Sequence, residues 1–111
     1  MSSSVQAAYV RAMAKAGKVH YSDYALSQMG ARKIWQDQVN KAIAEGEELE
    51  VQDLGPKKDV RVLFQQATKD VPEFYVVVAT SYPVVEVVTV CRFREEVWDW
   101  TGRIMVRGKP S

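Results

Sequence analysis

The chain has 111 residues, with 15 Lys and Arg against 14 Asp and Glu, one His, one Cys and 47% apolar positions. That length fits a single domain over 1–111, large enough to bury a core without metal or disulfide staples. One Cys excludes an internal disulfide, and Cys91 with His20 gives too few ligands for structural zinc, so no cofactor is expected and a reducing, cytoplasmic setting fits.

Residues 1–18 read as an N-terminal helical extension: Ser4 is a suitable N-cap, Val5, Ala8, Tyr9, Ala12, Met13 and Ala16 recur at helical spacing, and Gly17 ends the pattern. A second helix is expected over 19–32, with Ser22 as a cap and Ala25, Leu26 and Met29 stacking along it. A third runs from about Gln36 to Ala44, where Trp35, Val39, Ala42 and Ile43 form one stripe before Gly46. The period then falls from that of a helix to that of a strand. Strands are expected at 48–53 and 60–67, joined by the turn-rich loop 54–59, and at 74–80 and 84–93, joined by a hairpin at Ser81-Tyr82-Pro83. The expected fold is α+β, with N-terminal helices packed on an antiparallel sheet of about four strands. Beyond Glu95, Val97, Trp98 and Trp100 are apolar anchors, Thr101-Gly102 is a turn, 103–107 suits a final edge strand, and 108–111 reads as a frayed tail.

No apolar run is long enough to span a membrane, and Arg11 and Lys15 interrupt the N-terminus where a signal peptide needs an apolar stretch. The formal charge of +1 gives no global reason to expect a polyanion. Its distribution is uneven. Residues 1–45 carry six cations and three acids, whereas residues 46–75 carry four and seven. Arg92, Arg94, Arg103, Arg107 and Lys109 form a basic strip if Glu95, Glu96 and Asp99 face elsewhere, and arginines bind phosphate bidentately. The same strip also reads as a solvated surface of mixed charge.

His20 is the one side chain whose ordinary titration lies near neutrality, which makes it the default acid or base, although a single His is more often a surface or capping residue. Cys91, between Val90 and Arg92 in an apolar strand, reads as a small buried hydrophobe rather than a nucleophile. Glu47-Glu48 and Glu95-Glu96 are sequence neighbours that a strand would point to opposite faces. Trp98 and Trp100 share a face if extended, where they stack bases, close the core or bind a protein.

The run Ser22-Asp23-Tyr24-Ala25-Leu26-Ser27-Gln28-Met29-Gly30-Ala31-Arg32-Lys33-Ile34 is followed by Val39, Ala42-Ile43 and Gly46, then Val60-Arg61, Tyr75-Val76-Val77-Val78 and Val87-Val88-Thr89-Val90. Over about residues 19–93 this order resembles the bacterial domain of unknown function 4258 family, which is similar in expected fold to RelE-like and barnase-like small toxins. The resemblance implies a toxin-type domain that cleaves RNA without metal, by attack of the 2′-OH on the adjacent phosphate. It also implies a cognate antitoxin or other protein partner. The family's early helix carries a His where this chain has Tyr24 and a first Arg where it has Gln28, and only Arg32 is kept. The implied catalytic set is His20, Tyr24, Arg32 and Arg61, with Arg92, Arg94 and Trp98 binding RNA. The alternative is an inactive family member serving as a protein-binding module through Trp98 and Trp100.

Overall fold

The computed structural model describes residues 4–53, 60–80 and 85–108. In chain order these form α1 (Val5–Lys15), β1 (Val19–Tyr21), α2 (Asp23–Arg32), α3 (Gln36–Glu45), β2 (Glu48–Asp53), β3 (Val60–Gln65), β4 (Phe74–Ala79), β5 (Val85–Arg92), β6 (Trp98–Trp100) and β7 (Met105–Arg107). The architecture is α+β with its helices at the N-terminal end, as the sequence predicts. The expected loop 54–59, the Ser81-Tyr82-Pro83 hairpin and the frayed end beyond Gly108 lie outside the described residues.

Two helices begin where a serine satisfies a free backbone donor. The Ser4 hydroxyl accepts from the Ala7 N–H at 3.0 Å, and the Ser22 hydroxyl accepts from the Ala25 N–H, also at 3.0 Å. At the head of α3 the Gln38 carboxamide oxygen instead accepts from the Trp35 N–H at 2.9 Å. Gly17 follows α1 at φ +70°, and Lys33 closes α2 in the left-handed region at φ 56°.

The expected helix over 19–32 is divided. Val19–Tyr21 is extended and pairs in parallel with Val85–Val87, and the helix begins only after Ser22. The local reason is alternation: Val19 and Tyr21 pack on the core while His20 points away from it. The sheet therefore has five strands in the order β1-β5-β4-β3-β2 and is mixed, with β1 as its parallel edge strand. The C-terminal segment also differs from expectation. Rather than extending the sheet, β6 and β7 pair with each other as a separate antiparallel hairpin.

All three helices cover one face of the sheet. Val62 and Phe64 of β3, Val76 and Val78 of β4, and Val85, Val87 and Val90 of β5 pack there against Ala7, Val10, Ala25, Met29, Val39 and Ile43. Ala7 and Val10 are fully buried, so α1 is part of the core. On the other face Leu63 and Val77 lie beneath Trp98 and Met105 of the hairpin. Gln65 fastens this second layer: its Nε2 donates to the Arg103 carbonyl at 3.0 Å, and its Oε1 accepts from the Met105 N–H at 2.9 Å. Both ends of a buried carboxamide are thereby satisfied by backbone.

The turn from α3 into β2 admits no side chain. A Cβ added at Gly46 would clash with the Gln65 carbonyl oxygen and lie 2.5 Å from the Ala42 oxygen, both backbone atoms. Gly46→Ala is expected to lower unfolding stability by roughly 1–3 kcal/mol through overpacking. The check is urea denaturation, where the midpoint should fall with the slope unchanged.

Candidate functional site

Strand register places the candidate residues on the sheet. Gln52, Arg61, Ala79, Glu86 and His20 are successive cross-strand partners in one row. Directly opposed residues share a face, and His20 points away from the helices, so the row lies on the hairpin side. A second row on that side contains Gln65, Tyr75 and Cys91. The rows are four residues apart along β4, which is about 13 Å of extended chain.

The second row floors a cavity of about 440 Å³ into which four arginines converge: Arg32 from α2, Arg92 from β5, Arg94 just beyond it and Arg107 from β7. Tyr75, Cys91 and Trp98 form its apolar and hydroxylic lining. Arg92 Nη2 donates to the Arg32 carbonyl at 3.0 Å, which joins the end of α2 to the end of β5. Arg107 is held by Glu50 through two bonds of 2.7 and 3.1 Å, and its guanidinium lies 4.5 Å from the centre of the Trp98 ring. The hydrogen bond from Arg107 holds the Glu50 carboxyl below its ordinary value. Arg94 pairs with Glu96 at 2.9 Å in an exposed position, where such a pair contributes little. Among the described residues Arg32 and Arg92 have no ion-pair partner.

Three side chains of α2 lead into this cleft. Tyr24, Gln28 and Arg32 are spaced by four and form one stripe of the helix. The Tyr24 hydroxyl accepts from Gln28 Nε2 at 2.6 Å, and Gln28 Oε1 accepts from the Thr89 hydroxyl at 2.5 Å and from the Val90 N–H at 3.3 Å. Thr89 in turn lies 3.6 Å from the Cys91 sulfur. A polar chain therefore runs from exposed Tyr24 to the floor of the cleft.

The expected site residues divide between two places. Arg32, Arg92, Arg94 and Trp98 line the arginine cleft. Tyr24 approaches it through Gln28. His20 and Arg61 stand in the other row, His20 exposed beside Glu86 and Arg61 half-buried. Trp98, expected to stack a base, is only 5% exposed: Phe93 and Tyr75 pack against it at centroid distances of 5.2 Å, and Arg107 covers its ring. Of the two indoles expected to form an apolar docking surface, Trp98 is buried and Trp100 half-buried, and both pack in the hairpin's apolar contact with the sheet. Tyr75 and Gln28 were not among the expected site residues. Tyr75 sits in a valine run that reads as core, and Gln28 acts through contacts with a strand far along the chain.

Burial, and then the neighbouring Cys91, pushes the Tyr75 hydroxyl up to about 12 from 10.0. It thus keeps its proton throughout the neutral range. A group whose value is raised by folding contributes stability that is complete below its unfolded value and is lost as pH rises through the folded one. Stability is therefore expected to decline between pH 10.0 and about 12, with Tyr21, raised likewise by burial, sharing the effect. Tyr75→Phe should make that decline shallower, as read by urea unfolding at several alkaline pH values. No protein-family model, curated protein or solved structure matches the chain.

Proposed function

We propose that this chain is a small RelE-like, toxin-type domain that acts on RNA by holding a backbone phosphate in the arginine cleft. The observation that carries the reading is the convergence of Arg32, Arg92, Arg94 and Arg107 on one cavity, with Arg32 and Arg92 unpaired among the described residues. A guanidinium presents a planar fork of donors that fits two phosphate oxygens. The bond from Arg92 Nη2 to the Arg32 backbone carbonyl fixes the Arg92 guanidinium at the end of α2 and leaves its remaining donors for an anion, and the nearly neutral chain explains why binding would rest on a few placed contacts.

Metal-independent cleavage is the second reading, favoured by Tyr75 at the floor of the cleft. The 2′-oxygen would bond to the adjacent phosphorus as the bond to the 5′-oxygen breaks, leaving a 2′,3′-cyclic phosphate and a 5′-hydroxyl. The arginines would stabilise the phosphorane and the protonated Tyr75 hydroxyl would supply the leaving oxygen's proton. The base in this reading is His20 or Tyr24. His20 and Tyr24 both stand outside the cleft lining, which is why phosphate binding is the primary reading. A cognate antitoxin is the protein partner that the toxin reading entails.

Fluorescence anisotropy with a labelled RNA oligonucleotide tests both. Replacing Arg32 and Arg92 together by Gln should weaken binding roughly 10- to 100-fold and flatten the dependence of log K on log salt by about 1.4 for a single strand. Equal affinity in the double variant would remove the cleft from the RNA reading. Incubation of the same RNA in chelator, with products analysed for cyclic phosphate, separates cleavage from binding alone.

A further inference from the structure

We propose that Tyr24 is a stacking platform for an unpaired base, so that the cleft takes single-stranded rather than duplex RNA. This rests on the phosphate-binding reading above and adds a second contact to it. The expected stacker, Trp98, is buried, whereas Tyr24 is 62% exposed and shares a helix stripe with Arg32. Eight residues separate them, a rise of about 12 Å along the helix axis, which a strand leaving the cleft can span with a nucleotide or two.

The ring is held as well as displayed. Gln28 Nε2 donates to its hydroxyl, and Gln28 is itself fixed by the Thr89 hydroxyl and the Val90 N–H. An exposed aromatic with a tethered tip loses little freedom when a base lands on its face. Base stacking on an aromatic ring beside a cationic groove is the contact that single strands make and paired bases cannot, because in a duplex both faces are already occupied. The stripe between ring and cleft offers the Gln28 carboxamide, and the one acid of α2, Asp23, lies at the helix start on the side of the ring away from the cleft end.

The test uses the full chain and three probes: a labelled oligoadenylate, the same strand annealed to oligouridylate, and the oligoadenylate with one 2-aminopurine. Tyr24→Ala is expected to weaken single-strand binding by about 5- to 50-fold while changing duplex affinity by less than about twofold. Tyr24→Phe should restore most of the single-strand affinity. The 2-aminopurine fluorescence should be quenched on binding wild type and Tyr24→Phe but not Tyr24→Ala. Circular dichroism confirms that each variant keeps its helices. Full single-strand affinity in Tyr24→Ala overturns the platform, and so does a Tyr24→Phe loss as large as that of Ala. If those results come with weakened binding in the Arg32/Arg92 variant, the cleft survives and only the stacking contact fails. If wild type binds none of the three probes, the phosphate reading and the platform fall together. A single-stranded DNA of the same sequence reports whether the ribose adds to recognition.

Discussion

Among the described residues, the outer edge of β5 beyond Val87 has no strand beside it, and its backbone polar groups need other partners. Residues just after β1 provide them. The Ser22 N–H donates to the Val87 carbonyl at 3.0 Å, the Ser22 hydroxyl donates to the Val88 carbonyl at 3.1 Å, and Gln28 Oε1 receives the Val90 N–H. Helix α2 is thus laid along the edge that β1 abandons, and its last carbonyl meets Arg92. The cleft's position follows from this requirement. Hydrogen-bond satisfaction at one sheet edge fixes where Arg32 stands relative to the arginines of β5 and β7.

The same Ser22 hydroxyl also caps α2, so one side chain both starts the helix and sets its course. On the hairpin side, Trp98 has a comparable double role. It anchors β6 on Leu63 and Val77, and it separates the arginine cleft from a neighbouring cavity of about 430 Å³ bordered by Glu73, Glu95 and Asp99. Three carboxylates thus border one side of the indole and Arg32, Arg92 and Arg107 the other, with Arg94 bordering both cavities. A formal charge near zero conceals this separation.

Much of the fold was legible because its signals are local. Ser4 and Ser22 mark helix starts through their own hydroxyls, and the valine-rich runs of β4 and β5 declare central strands. β1 was not, because three residues are too few to show a period and its partner is near the other end of the chain. The hairpin was misplaced for a related reason: whether a short strand extends a sheet or lies across it is decided by Trp98 and Gln65, not by its own alternation. At the site, Arg92 and Arg94 were readable as part of a basic strip, and Arg32 as a cation in the last turn of its helix. The separation of His20 and Arg61 from them was not, since it depends on strand register. Trp98 illustrates the limit in the opposite direction, because an aromatic residue looks the same in sequence whether its ring faces solvent or a core.

The edge formed by β2 has a different consequence. Its pairing with β3 shifts register between Glu48 and Glu50, and both glutamates are engaged, Glu48 by the Ser4 N–H and Glu50 by Arg107. A bulged border carrying fixed carboxylates is a poor template for the strand of another molecule, which would meet an irregular ladder and repelling charge. The Glu50–Arg107 pair thus helps to keep that border irregular and charged while it holds one wall of the cleft, so one ion pair links the shape of the cavity to the solubility of the chain.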